Sequence, residues 1–195
     1  MIVGIPAIIK CRGRGEEKDI MKISKKLVAC IAALMMVCMM LTACGTPVSS
    51  VVTAEDGHAE GEVGTTFRTV FFDYSVDSVA YPSDYEGYVP ADGYQLLDVV
   101  VSIKNTFGEA LPMFNSDFQI QWHDLGNGPD DYDYGVVMDG SSTVMPDEYT
   151  LEKGDKCTYH IIFEVPAEAK EFSVSFLELF DNDTEGDLFF TYFNK

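Results

Sequence analysis

The sequence predicts an all-β protein, a β-sandwich of about seven strands held behind an N-terminal export signal and a flexible tether. Three observations lead there. Between Val63 and Lys195 the apolar residues alternate or come in short bursts, which is the period of strands. Asp-Gly, Gly-Asn, Pro-Ser and Asn-Asp pairs separate the bursts. No long stretch keeps a helical period, and many short strands with turns between them bury their apolar faces as two packed sheets.

The N-terminal elements come first. Residues 1 to 20 fit no part of an export signal, and Gly15-Glu16-Glu17-Lys18 must be encoded by a purine-rich run of the kind that precedes a start codon. Translation is therefore expected to begin at Met21. Met21, Lys22, Lys25 and Lys26 make a positive start, Leu27 to Met40 an apolar middle, and Leu41-Thr42-Ala43 a small-residue exit. A spanning helix needs about twenty apolar residues, so this run is short for an anchor and suits a cleaved signal over residues 21 to 43. Leu41-Thr42-Ala43-Cys44, with Gly45 after it, resembles a bacterial lipobox, in which the cysteine sulfur is acylated and becomes the mature N-terminus. Cysteine parity agrees. Cys11, Cys30 and Cys38 precede the cut, so an acylated Cys44 leaves Cys157 without a partner and the domain standing on its core alone. Residues 44 to 62 are rich in Ser, Thr, Ala, Gly and acids and read as a tether, with His58 as plain linker. About eighteen flexible residues have a typical end-to-end distance of roughly 25 Å.

The domain follows over residues 63 to 195, long enough for one proper core. Val63 to Val79 gives one or two strands with Val70, Phe72, Tyr74 and Val76 on one side. Tyr94 to Asn105 is the strongest: Leu97, Val99, Val101 and Ile103 share a face while Leu96 and Val100 make the other face apolar too, as in a central strand. Phe118, Ile120 and Trp122 alternate with Gln119, Gln121 and His123, and further strands are expected at Tyr134 to Met138, Lys156 to Val165, Phe172 to Phe180 and Leu188 to Phe193. Cys157, Tyr159, Ile161, Phe163 and Val165 fall on one face, which makes Cys157 a small buried hydrophobe.

Lys104-Asn105 at the end of a hydrophobic strand, Phe118 on a later one, and a Gly154-Asp155 turn leading into a strand that ends Phe163-Glu164-Val165-Pro166 resemble the immunoglobulin-like domain of unknown function found on many Gram-positive lipoproteins. That family belongs with the telokin-like, immunoprotective extracellular antigens. The resemblance implies an immunoglobulin-like sandwich and an address at the outer face of the cytoplasmic membrane. It implies no catalytic residues. The residues that carry it have structural roles: Pro166 suits a strand end, Gly154 a tight turn, and Asn105 a bond to the loop backbone where its strand stops.

Enzymatic constellations fail in turn. His123 and His160 both sit at polar-facing strand positions, and there is no HExxH, no Cys-His cluster, no nucleophile elbow and no phosphate-cradling glycine loop. Charge is more informative. The chain carries −19, but seven of its 13 Lys and Arg and three of its 32 Asp and Glu precede Cys44, so six cations face 29 carboxylates in the exported part, a net −23. Such a body repels nucleic acid and anionic lipid headgroups, and any charged partner is expected to be cationic: a metal ion, a basic peptide or a basic protein face. Three loops concentrate the acids, two of them beside tyrosines. Tyr85 and Tyr88 lie in one and Asp130, Asp131 and Asp133 in the next, making them candidate ligand-binding residues for an extracellular protein, peptide or glycan. The third, Asp181 to Asp187, spaces Asp181, Asp183 and Glu185 like the start of a calcium loop, although Tyr192 stands where the bidentate acid belongs. The reading is a lipid-anchored, non-enzymatic binding module with no cofactor required; the alternative is a calcium-dependent one.

Overall fold

The computed structural model describes residues 51–125 and 132–195. The upstream segment, the signal, Cys44, Asp130 and Asp131 lie outside the described residues. Twelve strands are present: β1 (Val51–Thr53), β2 (His58–Glu62), β3 (Thr66–Arg68), β4 (Phe72–Ala80), β5 (Tyr94–Asn105), β6 (Leu111–Phe114), β7 (Phe118–Trp122), β8 (Tyr132–Tyr134), β9 (Glu148–Leu151), β10 (Lys156–Pro166), β11 (Glu171–Leu179) and β12 (Glu185–Asn194). They form one five-stranded sheet in the order β1-β3-β4-β5-β10, a second in the order β2-β12-β11-β7-β8, and a short β6-β9 pair. The expected β-sandwich is what the chain builds.

Alternation decides what lies between the sheets. Val76, Leu97, Val99, Val101, Ile161, Phe163 and Val165 of the first sheet, and Phe118, Ile120, Phe172, Val174, Phe176 and Phe189 of the second, share one buried cluster. Burying each such side chain contributes roughly 1.5–3 kcal/mol. At its centre Tyr74 is ringed by Phe67, Phe72, Phe118, Phe176 and Phe189 at centroid distances of 5.4 to 6.4 Å. Asn105 does what its strand-end position predicts: its Nδ2 donates to the Glu109 and Leu151 carbonyls at 2.9 Å, and its Oδ1 accepts the Phe107 N–H at 2.8 Å.

Several expectations need correction. Residues 51 to 62 are not tether: β1 lies parallel to β3 and β2 parallel to β12, with Ala59 buried, so the domain starts at about residue 51 rather than 63. His58 is the first residue of β2 rather than linker. An Asp56-Gly57 turn, with φ of 54° and 88°, carries the chain from one sheet to the other. Val70 is 53% exposed in the β3–β4 turn instead of facing the core. Its N–H donates at 2.6 Å to Oε1 of Glu178, a carboxylate buried at a bulge of β11. The other oxygen of Glu178 accepts the Asp187 N–H at 3.1 Å, so a single side chain ties the two sheets together. Gly186 permits this, because a Cβ there would stand 2.7 Å from Glu178 Oε2.

Candidate functional site

On the outer face of the first sheet the apolar second side of β5 is covered. Leu96, Ile162 and Val144 form a separate small core, with Tyr85, Tyr88 and Met138 packed against it. Tyr85 and Tyr88 face each other across a tight turn at Glu86-Gly87, both with positive φ, and exchange backbone hydrogen bonds at 2.9 and 2.8 Å. The two tyrosines predicted as recognition residues are thus fastened to their own domain. The Tyr85 ring lies 5.6 Å from that of His160, and its hydroxyl pairs with Thr143 Oγ1 at 3.2 Å. The Tyr88 hydroxyl donates to Glu164. That hydrogen bond first, then burial and the charges of Glu164 and Asp133, push its pKa up. Asp133 lies just before Tyr134 at the end of β7's partner strand β8, and Asp130 and Asp131 lie outside the described residues.

His160 and His123 each have a side-chain partner. His160 Nδ1 meets Asp98 Oδ1 at 2.8 Å, but no nucleophilic side chain bonds its other nitrogen among the described residues. His123 Nε2 lies 2.9 Å from Ser173 Oγ, a serine that is fully buried and bonded to Gln121 Oε1 at 3.2 Å, out of reach of a substrate. The calcium reading of Asp181, Asp183 and Glu185 meets the wrong geometry. Asp183, at φ 59°, serves to close the turn, in which the Phe180 N–H donates to the Thr184 carbonyl at 3.0 Å and the Asp183 N–H to the Phe180 carbonyl at 2.9 Å. Among the described residues no three His, Cys, Asp or Glu side chains converge as a metal requires.

The outer face of the second sheet holds what sequence reasoning missed. Strand register places Glu60, Phe190, Ser175, Gln119 and Tyr134 in one row across five strands, and Glu62, Tyr192, Ser173, Gln121 and Tyr132 in the next. The two rows carry no charge on the three central strands. Phe190 and Tyr192 stack at 5.8 Å on one flank, and Tyr132 and Tyr134 meet edge to face at 5.9 Å on the other. Between them run Ser173 and Ser175, both buried, beside the half-buried amides of Gln119 and Gln121. Gln119 Nε2 donates to the Tyr134 hydroxyl at 2.8 Å, which leaves its carbonyl oxygen free for a ligand donor. Burial first, then Glu60, pushes the Tyr192 pKa up and keeps that hydroxyl a donor. The Gln-x-Gln and Ser-x-Ser alternations were visible in the sequence. Their pairing with aromatics from β8 and β12 was not, because it depends on strand order.

No known protein family matches the chain, and no curated protein does. Among solved structures, a candidate lipoprotein of Bacillus subtilis, YcdA, is similar with a TM-score of 0.49 at 16% identity, over 66% of this chain and 38% of its own. The YjhA protein of the same organism scores 0.46 at 13% identity, over 67% of this chain and 98% of its own. An uncharacterized β-sandwich protein of Clostridium difficile scores 0.42 at 14% identity, over 71% and 96%. The chain thus spans well under half the length of the first of these. Likeness of this degree assigns neither family nor function.

Proposed function

We propose that this chain is a lipid-anchored, extracytoplasmic, non-enzymatic binding module of the immunoglobulin-like kind, which presents the outer face of its second sheet to a protein, peptide or glycan. One observation carries the reading: the exposed Tyr132–Tyr134 pair and the half-buried Phe190 with exposed Tyr192 flank an uncharged strip that bears the half-buried amides of Gln119 and Gln121, in a body of net −23. Aromatic side chains with two rotatable bonds offer large contact area at small entropic cost, and amides supply orientation-specific hydrogen bonds. The lipobox-like Leu41-Thr42-Ala43-Cys44 supports the address.

The test is capture from the native cell surface with the exported chain, compared with a Tyr132→Ser, Tyr134→Ser, Gln119→Ala variant and with a Tyr85→Phe control on the opposite face. The expected result is loss of specific capture in the triple variant at an unchanged melting temperature, with the control behaving as wild type. Equal capture by all three proteins would remove this face from consideration.

A further inference from the structure

Six cations remain in the exported chain, and three of them share one line. Across the outer face of the first sheet, Arg68 stands opposite Asp73, Asp73 opposite Lys104, and Lys104 opposite Lys156. At about 4.8 Å per strand the line is roughly 14 Å long. Arg68 holds both oxygens of Asp73 at 2.9 Å. Asp77, set out by the bulge in β4, is likewise occupied: it accepts the Ser75 and Ser102 hydroxyls at 2.6 Å. Asp73 and Asp77 of this face are therefore committed elsewhere, and Lys104 and Lys156 have no ion-pair partner among the described residues.

That arrangement is unfavourable by itself. Like charges directly opposite in an antiparallel pair destabilise it. In a chain with 29 carboxylates against six cations, a neutralising partner would have been easy to supply. Beside the cations runs a second line, Thr66, Ser75, Ser102 and Thr158, with Ser102 and Thr158 hydroxyls 2.8 Å apart. Both lines border a shallow depression of about 320 Å³. The one aromatic residue among its lining is Tyr74, whose ring is buried in the core.

We propose that this face binds a linear polyol phosphodiester, the two free ammonium groups meeting successive phosphates and the Ser75 and Thr158 hydroxyl oxygens, their protons directed to Asp77 and Ser102, accepting hydrogen bonds from the polyol hydroxyls. Charge complementarity selects an anion. Openness selects a polymer, because a lone phosphate is held by converging backbone N–H groups, and here those groups are spent in the sheet ladder. Lack of a stacking platform disfavours single-stranded nucleic acid, whose bases need aromatic partners. Net charge opposes the approach of a polyanion, but screening at physiological salt confines the field of each acidic loop to about 8 Å, so at contact range the local line governs what stays docked. The inference concerns the opposite face of the sandwich from the proposed recognition strip and stands independently of it.

The experiment titrates the full chain into fluorescently labelled poly(glycerol phosphate) at several salt concentrations and reads anisotropy. Wild type is expected to bind with an affinity that falls as salt rises. Lys104→Gln with Lys156→Gln should weaken binding at least tenfold at low salt and flatten the slope of log K against log salt by about 1.4, the loss of two phosphate contacts on a single-stranded polyanion. Lys170→Gln with Lys195→Gln, away from the line, should change neither. Melting curves check folding, and Thr158→Val gives a second, uncharged perturbation that should also weaken binding. Absence of binding by wild type at low salt, or equal binding by the Lys104 and Lys156 variant, would overturn the proposal. Tighter binding of single-stranded DNA or of phosphatidylglycerol vesicles than of the polymer would overturn the choice of occupant.

Discussion

Tyr74 carries a hydroxyl that the core does not use. The residue is 1% exposed and its oxygen has no hydrogen-bond partner, so burial pushes its pKa well above the ordinary value and holds it neutral. An unsatisfied buried polar group costs about 1–3 kcal/mol. Tyr74→Phe keeps the ring among its five aromatic neighbours and removes the oxygen. Stability should rise by about 1 kcal/mol, read as a higher denaturant midpoint at unchanged m-value; a lower midpoint would mean that the hydroxyl has a partner. Asp117 shows the same physics in a group that titrates. It follows Asn115 in the short turn before β7 and accepts the Phe114 N–H at 2.8 Å, but burial outweighs that bond and lifts its pKa to about 6. A carboxyl whose pKa is higher folded than unfolded binds more protons in the native state, so its contribution to stability falls as pH rises from about 4 to 6. Asp117→Asn, which can still accept the Phe114 N–H, should therefore raise stability at pH 7 on the order of 1 kcal/mol, kept small by the carboxylate's residual solvent contact. Near pH 4 the gain should vanish; a gain of equal size at both pH values would place its cause outside this titration. Cys157 is half-buried rather than the fully buried hydrophobe expected: it packs against the core 3.7 Å from the Tyr149 hydroxyl, with its thiol pKa raised by burial.

Long strands were legible and short ones were not, for a physical reason. β5, β10 and β11 each bury several alternating side chains, and that pattern is written locally. β2 buries only Ala59, and β6 and β9 bury only Leu111, Met113 and Leu151, so their strand character comes from pairing with distant segments. Asp56-Gly57 was a readable hairpin signal, masked by flanks of Thr, Ala, Glu and His with no apolar alternation. Glu178 was illegible altogether, since a carboxylate in an apolar strand discloses nothing about which backbone N–H groups it will meet. It fastens the β3–β4 turn to the β11–β12 hairpin, and its removal leaves two donors without partners. Glu178→Ala should cost about 2–4 kcal/mol by denaturant unfolding. Glu178→Gln, which can satisfy only one of those donors with its carbonyl, should fall between wild type and Ala; a neutral Glu178→Ala would show that solvent replaces the latch.

At the scale of the whole molecule, strands that begin at Val51 change how the domain meets the membrane. If Cys44 carries lipid, as proposed, seven chain steps rather than about eighteen separate the acyl group from the first paired residue. A flexible segment of that length has a typical reach of about 15 Å, against roughly 25 Å for the tether read from composition. The domain would then be held close to the headgroup layer, and a ligand anchored at the same surface would be met at high effective concentration. Trp122 is the sole tryptophan of the chain and lies half-buried at the end of β7, so it reports this distance without labelling. Energy transfer from Trp122 to an acceptor at the lipid surface of reconstituted vesicles should be strong for the acylated protein. Twelve Gly-Ser residues inserted between Gly45 and Val51 should reduce it, because the mean separation grows roughly as the square root of linker length. Cys44→Ser should abolish it, since an unprocessed chain receives no acyl group, and mass spectrometry should find that variant intact and unmodified. Transfer that is insensitive to the insertion would mean that the domain rests on the lipid through contacts of its own, and the six cations, Lys104 and Lys156 first, would be the residues to neutralise next.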